Sequence, residues 1–533
     1  MHGSISSKVN PVVFYPSVSI VLLFVLMGVF FTEWMGDMFA DIQNAIVSYF
    51  GWMYIVSVTF FLIFVLWLYF SPYGNIRLGK DEDRPEYRNT TWFAMLFSAG
   101  MGIGLLFYSV AEPILHFANP KDPGLGSIAT AEEAINLTFF HWGLHGWAIY
   151  IVVGLALAYF SYRHDMPLSI RSTLYPVFGD KVYGFRGNVV EVVAIFGTLF
   201  GVATSLGLGA LQINSGMYYL GLLSESLNNQ LILIVVITLL ATMSVVSGLN
   251  KGVRFLSQMN MILGLLLLLF VFLVGPTMFL ISSFVQSVGY YLDHLIPLSF
   301  QTDAFRGIEW QKAWTMFYWG WWISWSPFVG MFIARISRGR TIREFIGGVL
   351  LVPTMITFLW IIVFGNTGIH MELFGAGGIT QAVESSVPTA LFVMLDNLPM
   401  ASLSSLLATI VIVTFFVTSS DSGSLVISML SCNGNPQPVV GVRLFWSLTQ
   451  GAVAAVLLLA GGLVALQTAA LVSALPFCVV LILMCYSMVK GMKAERRNIP
   501  LDQIVPTFNP ESTSINRTKL AIGNLFDQRR GRR

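Results

Sequence analysis

Runs of roughly 18 to 25 nearly uninterrupted apolar residues recur along this chain, and they restrict its fold more than any other feature. In a bilayer, only helices and closed barrels satisfy every backbone N–H and C=O internally. Barrel strands alternate apolar and polar residues over about ten positions, and these runs do not alternate, so the spans are helices. With 56% apolar and 11% charged residues in 533, the sequence describes an all-α polytopic membrane protein rather than a soluble multidomain one. A net charge of +2 carries no nucleic-acid signature, and no such partner is expected. Cys432, Cys478 and Cys485 lie in or beside apolar runs without Cys/His ligand spacing and read as packing residues. The first apolar run, Val12 to Phe31, is too long for a signal-peptide core and leads to Glu33 rather than a cleavage site.

Twelve spans are predicted, at about 12–31, 52–70, 91–110, 135–160, 189–217, 231–247, 257–281, 310–333, 346–365, 397–427, 442–460 and 464–489. Their loops segregate charge: one set carries 26 of the 29 Lys and Arg residues, and the other carries Lys121, Arg306 and Lys312. By the positive-inside rule both termini are expected in the cytoplasm, in a plasma (inner) membrane. Spans 3–7 and 8–12 resemble one another. Each half opens on a conspicuous motif, and spans 5 and 10 both carry hydroxyls, Thr198, Thr204 and Ser205 in one and Thr414, Thr418, Ser419 and Ser420 in the other. A unit of five helices must insert its second copy upside down, so a 5+5 inverted repeat is expected, with its sites near the midplane between the copies. The expected organisation is an N-terminal tail with two helices (1–90), the first repeat (91–283), an extracellular amphipathic connection (284–309), the second repeat (310–489) and a basic tail (490–533). Arg529, Arg530, Arg532 and Arg533 in that tail are suited to anionic lipid.

Three motifs carry chemistry. In Trp314 to Arg343, five of the chain's 14 tryptophans stand just before a basic cluster. Trp314, Trp321, Trp322 and Trp325 fall within about a 100° sector of one helix, with Trp319 just outside it. This stripe extends for about 16 Å, deeper than an interfacial belt reaches, and several indole faces at that depth suit a desolvated cation without N–H donors, such as a quaternary ammonium. Span 3 reads Ser98-Ala99-Gly100-Met101-Gly102-Ile103-Gly104. Glycine at every second position predicts a break at mid-bilayer, where the amides of Met101, Gly102 and Ile103 are free for a carboxylate and nearby carbonyls for a cation. Span 4 holds Trp142, Trp147 and Tyr150 within about a 140° sector, a second aromatic wall. His141 and His145 have the i, i+4 spacing of a metal pair but no third ligand is evident, and Asp421 and Glu191 are read as isolated. No catalytic constellation, phosphate-binding loop or selectivity filter is recognisable. A carrier is therefore expected, rather than an enzyme, an ATP-driven pump or a channel.

The run Phe317-Tyr318-Trp319-Gly320-Trp321-Trp322-Ile323-Ser324-Trp325-Ser326-Pro327, continuing to Arg343, closely resembles the signature of the betaine/choline/carnitine transporter (BCCT) family. The glycine motif, the span 4 aromatics and Thr418-Ser419 agree in order and spacing. The resemblance implies a leucine-transporter-like fold of five-plus-five helices behind two peripheral ones, commonly a homotrimer. It implies an aromatic box of Trp142, Trp147, Tyr150 and Trp322, with Trp325 adjacent and Trp321 on the cytoplasmic side of the path. The expected substrate is a zwitterionic quaternary ammonium or sulfonium solute, glycine betaine-like; relatives that take choline tend to carry an acid where this chain has Gly104. No cofactor is expected beyond sodium as coupling ion, held by carbonyls of Ser98, Met101 and Phe415 and hydroxyls of Thr418 and Ser419. Val202 replaces a hydroxyl of the family's second sodium site. The alternatives are proton-coupled uptake of choline or carnitine, and an ectoine or dimethylsulfoniopropionate carrier of the same fold.

Overall fold

The computed structural model describes residues 9–100, 102–246 and 252–504, apart from the side chains of 97–100, 246, 252–255, 502 and 504. It is helical throughout, with one isolated bridge between Arg77 and Thr341 among the described residues. The main helices are α1 (Pro11–Phe30), α2 (Thr32–Phe70), α3 (Asn89–Gly100), α4 (Ile103–Ala118), α5 (Ser127–Trp142), α6 (Leu144–Ala158), α7 (Phe185–Tyr219), α8 (Leu227–Val246), α9 (Gly252–Val274), α10 (Thr277–Ser299), α11 (Thr315–Ile336), α12 (Ile342–Ile361), α13 (Ala401–Ser431) and α14 (Val440–Glu495). Among the described residues, nine helices are long and apolar enough to cross a membrane.

Local chemistry accounts for most of the breaks. The glycine motif interrupts span 3: α3 stops at Gly100, Gly102 is extended, and α4 starts at Ile103. Span 4 was expected to be continuous but is broken too. Gly143 leaves the helical region, and a β-carbon there would lie 2.6 Å from the Phe139 carbonyl, so Trp142 ends α5 and Trp147 sits on α6. Spans 11 and 12 run together as α14, bent at Gly461 and Gly462, the latter at a φ of +58° that glycine tolerates. The segment expected to connect the two repeats is the helix α10, which begins at Thr277, ahead of the expected start at Phe284.

Burial sorts the helices. The span Ser127–Arg163 is 94% buried along its apolar window, against 28% for Pro11–Phe30, so α5 and α6 are central and α1 faces outward. α6 packs on α11 where two glycines meet: a β-carbon on Gly330 would lie 2.6 Å from that of Val153, and one on Gly154 would lie 3.1 Å from the Gly330 carbonyl. Small residues of this kind let helix backbones approach closely within a membrane. α7 lies against α11, α13 and α14 and completes the core.

The basic cluster after the tryptophans clamps the loop before α3. Arg340 donates to Asn89 Oδ1 and to the Tyr87 carbonyl, both at 2.9 Å, and lies 3.8 Å over the Trp92 ring. Arg343 donates to the Tyr69 carbonyl at 2.9 Å, and Arg77 donates back to the Gly339 carbonyl at 2.6 Å. A capping box of Thr341 and Glu344 starts α12 beside it. Arg340→Ala removes two charge-assisted hydrogen bonds and a stacked ring contact from a buried site, and is expected to destabilise by about 3 kcal/mol. A several-degree fall in the melting temperature of detergent-solubilised protein would show it. Arg340→Lys should not restore the loss, because lysine lacks the planar fork.

Candidate functional site

One cavity collects most of the expected residues. Trp321, Trp322 and Trp325 of α11 face Trp142 at the end of α5 and Trp147 and Tyr150 of α6, with Gly102 at the break closing a third side. Trp142 and Trp322 stand 4.9 Å apart at 71°, Trp321 stacks on Trp322 at 4.9 Å and 14°, and Trp147 meets Tyr150 edge-on at 5.5 Å. Six aromatic side chains lining one space favour a cation lacking N–H donors. Among the described residues, no Lys or Arg lies over any of these six rings. Tyr150 Oη and Trp325 Nε1 are buried without a hydrogen-bond partner among the described residues.

The box is fixed from behind by a residue that sequence reasoning passed over. Glu112 on α4 is fully buried, and its Oε2 accepts from Trp142 Nε1 at 2.8 Å and from the Tyr318 hydroxyl. Its Oε1 lies 2.6 Å from His141 Nδ1 and 3.3 Å from His116 Nε2. His141 in turn meets Thr315 Oγ1 at 2.9 Å through Nε2, while its carbonyl accepts from Trp322 Nε1 at 2.9 Å. The available signal was that Glu112 is the sole Asp or Glu in the apolar helix Ile103–Ala118, and an intramembrane acid marks function by default.

Several expectations need correction. His141 does have further ligand-type neighbours, because ligand atoms of Glu112, His116 and His141 all lie within 4.8 Å of one another. His145 is apart from them, bonded to Ser299 Oγ at 3.0 Å and stacked on Trp319. Asp421 is paired with Arg443 at 3.3 Å, and Glu191 accepts from the Arg171 amide at 3.1 Å, so neither is isolated. Trp314 precedes α11 and packs 4.3 Å from His116, so it leaves the stripe. The side chain of Ile103 points toward Gly209, while its backbone, the part expected to meet the carboxylate, opens α4. Met101 lies outside the described residues.

A family profile described as BCCT, betaine/carnitine/choline family transporter, matches residues 12–497. The chain belongs to this family. It is 44% identical over 490 residues to the glycine betaine transporter of Acinetobacter baylyi, covering 92% of this chain and 74% of that one. Identity to the glycine betaine transporter OpuD of Bacillus subtilis is 46% over 491 residues, covering 91% and 95%. It is 43% over 472 residues to the glycine betaine/proline/choline/ectoine transporter of Vibrio parahaemolyticus, covering 86% and 83%. The protein is thus a BCCT membrane transporter and not an enzyme.

In this BCCT chain a second cavity adjoins the box through Trp325, and Phe415, Thr418 and Ser419 line it together with Asn260. Thr418 Oγ1 donates to the Thr414 carbonyl at 3.0 Å and accepts from Asn260 Nδ2 at 3.1 Å. The hydroxyl set expected of span 10 is therefore gathered in one place. Its expected complement on span 3 is a pair of carbonyls: that of Ser98 belongs to the last turn of α3, and Met101 lies outside the described residues. Val202 is fully buried and packs on Gly423, with no hydroxyl to offer.

Gly104 has a tight neighbour: a β-carbon there would run into the Trp321 ring. Gly104→Asp is therefore expected to displace that indole, seen as a red-shifted, more quenchable tryptophan emission before any ligand is added. An unchanged spectrum would contradict this packing.

Proposed function

We propose that this transporter imports a zwitterionic quaternary ammonium or sulfonium compatible solute of the glycine betaine type by sodium symport. The observation that carries the reading is the set of indole and phenol rings that line one cavity, with no Lys or Arg over them among the described residues. A trimethylammonium head suits such faces, whereas a primary ammonium would strand its donors there. The solute's carboxylate would meet the amides of Gly102 and Ile103 that open α4, together with those of Met101, and the unpartnered Tyr150 Oη and Trp325 Nε1 stand near the same space. Two of the relatives are named for glycine betaine alone, and one is named for proline, choline and ectoine as well, so these solutes are the competitors to test.

In this reading the chain crosses the plasma membrane twelve times with both termini cytoplasmic. Span 3 is crossed in two pieces and α14 forms two spans. Residues 1–90 then precede the repeats 91–283 and 310–489, with 284–309 between them, in a homotrimer whose tail, 490–533, contacts anionic lipid. Sodium would be held by Ser98, Met101 and Phe415 carbonyls and by Thr418 and Ser419 hydroxyls, a set of hard oxygens requiring no acid. Proton coupling is the second reading. It gains one supporting observation, the buried Glu112–His141 pair.

Two measurements test these statements. Trp322→Leu is expected to weaken uptake of labelled betaine by roughly thirtyfold, equivalent to about 2 kcal/mol of cation–π contact in a dry site, with Trp322→Phe retaining part. Full activity of the Leu variant would move the box elsewhere. In proteoliposomes with sodium and pH gradients imposed separately, uptake should follow sodium, and Thr418→Ala with Ser419→Ala should flatten that dependence. Uptake that follows the pH gradient and ignores sodium would transfer the assignment to the proton-coupled reading.

A further inference from the structure

The box has a charge one ring behind it. Trp142 supplies a wall of the cavity, and its indole N–H donates at 2.8 Å to a carboxylate that is shut off from solvent. The donors around Glu112 suit an ionised acceptor. Trp142 can only donate; Tyr318 and His141 occupy the remaining positions, and His116 adds a longer contact at 3.3 Å. Neither imidazole has to be a cation. His116 Nδ1 is buried without a partner among the described residues, so a second proton there would leave a charged N–H unsatisfied. His141 can donate through Nδ1 and accept from the Thr315 hydroxyl at Nε2. The nearby ammonium of Lys121 is already paired with Asp303 at 2.8 Å, over the Trp310 ring.

Resting on the betaine-type reading above, we propose that Glu112 is the box's specificity-determining counter-charge: its carboxylate, held behind Trp142 by Tyr318 and His141, favours a cationic head group and orients the zwitterion with that head inward. The field of one buried charge is directional in what it selects. It attracts the head, repels the tail less because the tail is farther off, and disfavours an anion of the same shape outright. A unit charge about 8 Å away at an effective dielectric of about 20 shifts the preference for a cationic over an uncharged head by roughly tenfold or more. Glutamine can replace the shape without the charge. Its carbonyl can accept from Trp142 and Tyr318, and its amide can donate to His141 once that proton moves to Nε2, where Thr315 Oγ1 accepts.

The experiment compares betaine with 3,3-dimethylbutanoate, in which carbon replaces the quaternary nitrogen, as substrate and competitor in proteoliposomes carrying the full chain. In Glu112→Gln, half-saturation by betaine should rise about threefold while the isostere competes better, so the selectivity ratio shrinks roughly tenfold. Opposite movement of the two ligands is something a merely structural role does not produce. Equal weakening of both, or an unchanged ratio, overturns the proposal. If Glu112→Gln fails to fold, Glu112→Asp carries the test: the charge is kept, so the ratio should stay within about threefold of wild type even where uptake falls, and its collapse overturns the proposal. Wild-type protein that neither takes up nor binds betaine would instead remove the betaine-type reading, so the two failures are distinguishable.

Discussion

The structure depends on a carboxylate buried between three helices. Glu112 of α4 accepts from Trp142 at the end of α5 and from Tyr318 of α11, and the same carboxylate holds His141, whose carbonyl fixes Trp322. A buried charge is costly unless its hydrogen-bonding positions are filled, and filling them ties together elements that approach from different parts of the chain. The walls of the cavity are therefore set by polar bonds behind the rings.

Helix interruptions put those bonds in reach. The break between α3 and α4 opens a set of helix-start amides beside the box, and the break at Gly143 turns Trp142 away from the direction a continuous helix would give it. Close backbone contact at Gly154 and Gly330 brings α6 against α11, and Gly104 leaves room for the Trp321 ring. Glycine thus acts in two ways here, breaking helices where polar backbone is wanted and thinning them where aromatic rings must fit.

The arginines following the tryptophan run tie separate helices together. Arg340 is occupied by the Tyr87 carbonyl and by Asn89 and the Trp92 ring of α3, and Arg343 by the Tyr69 carbonyl in the last turn of α2, so they anchor the junction of α11 and α12 to the end of α2 and the start of α3. The helix bearing half of the box is thereby held at one end by charge-assisted hydrogen bonds and near its other end by Glu112.

Much was legible in the sequence because some signals are local. Long apolar runs dictate helices, glycine at alternate positions dictates the break near Gly102, and clustered indoles at helical spacing point to Trp321, Trp322 and Trp325 as one wall. Side-chain partnerships were not legible, because they join residues far apart in the chain. Glu112 to Tyr318, Asp421 to Arg443 and Asn260 to Thr418 have no periodicity to reveal them. Trp314 shows the same limit from the other side, for a helical wheel assumes an unbroken helix, and the bend before Thr315 turns it away from the cavity. The sequence by itself determined a helical membrane protein with an aromatic site. The tertiary structure decided which rings converge and which charge stands behind them, because burial must satisfy each polar group with whatever partner the packing brings within hydrogen-bonding distance.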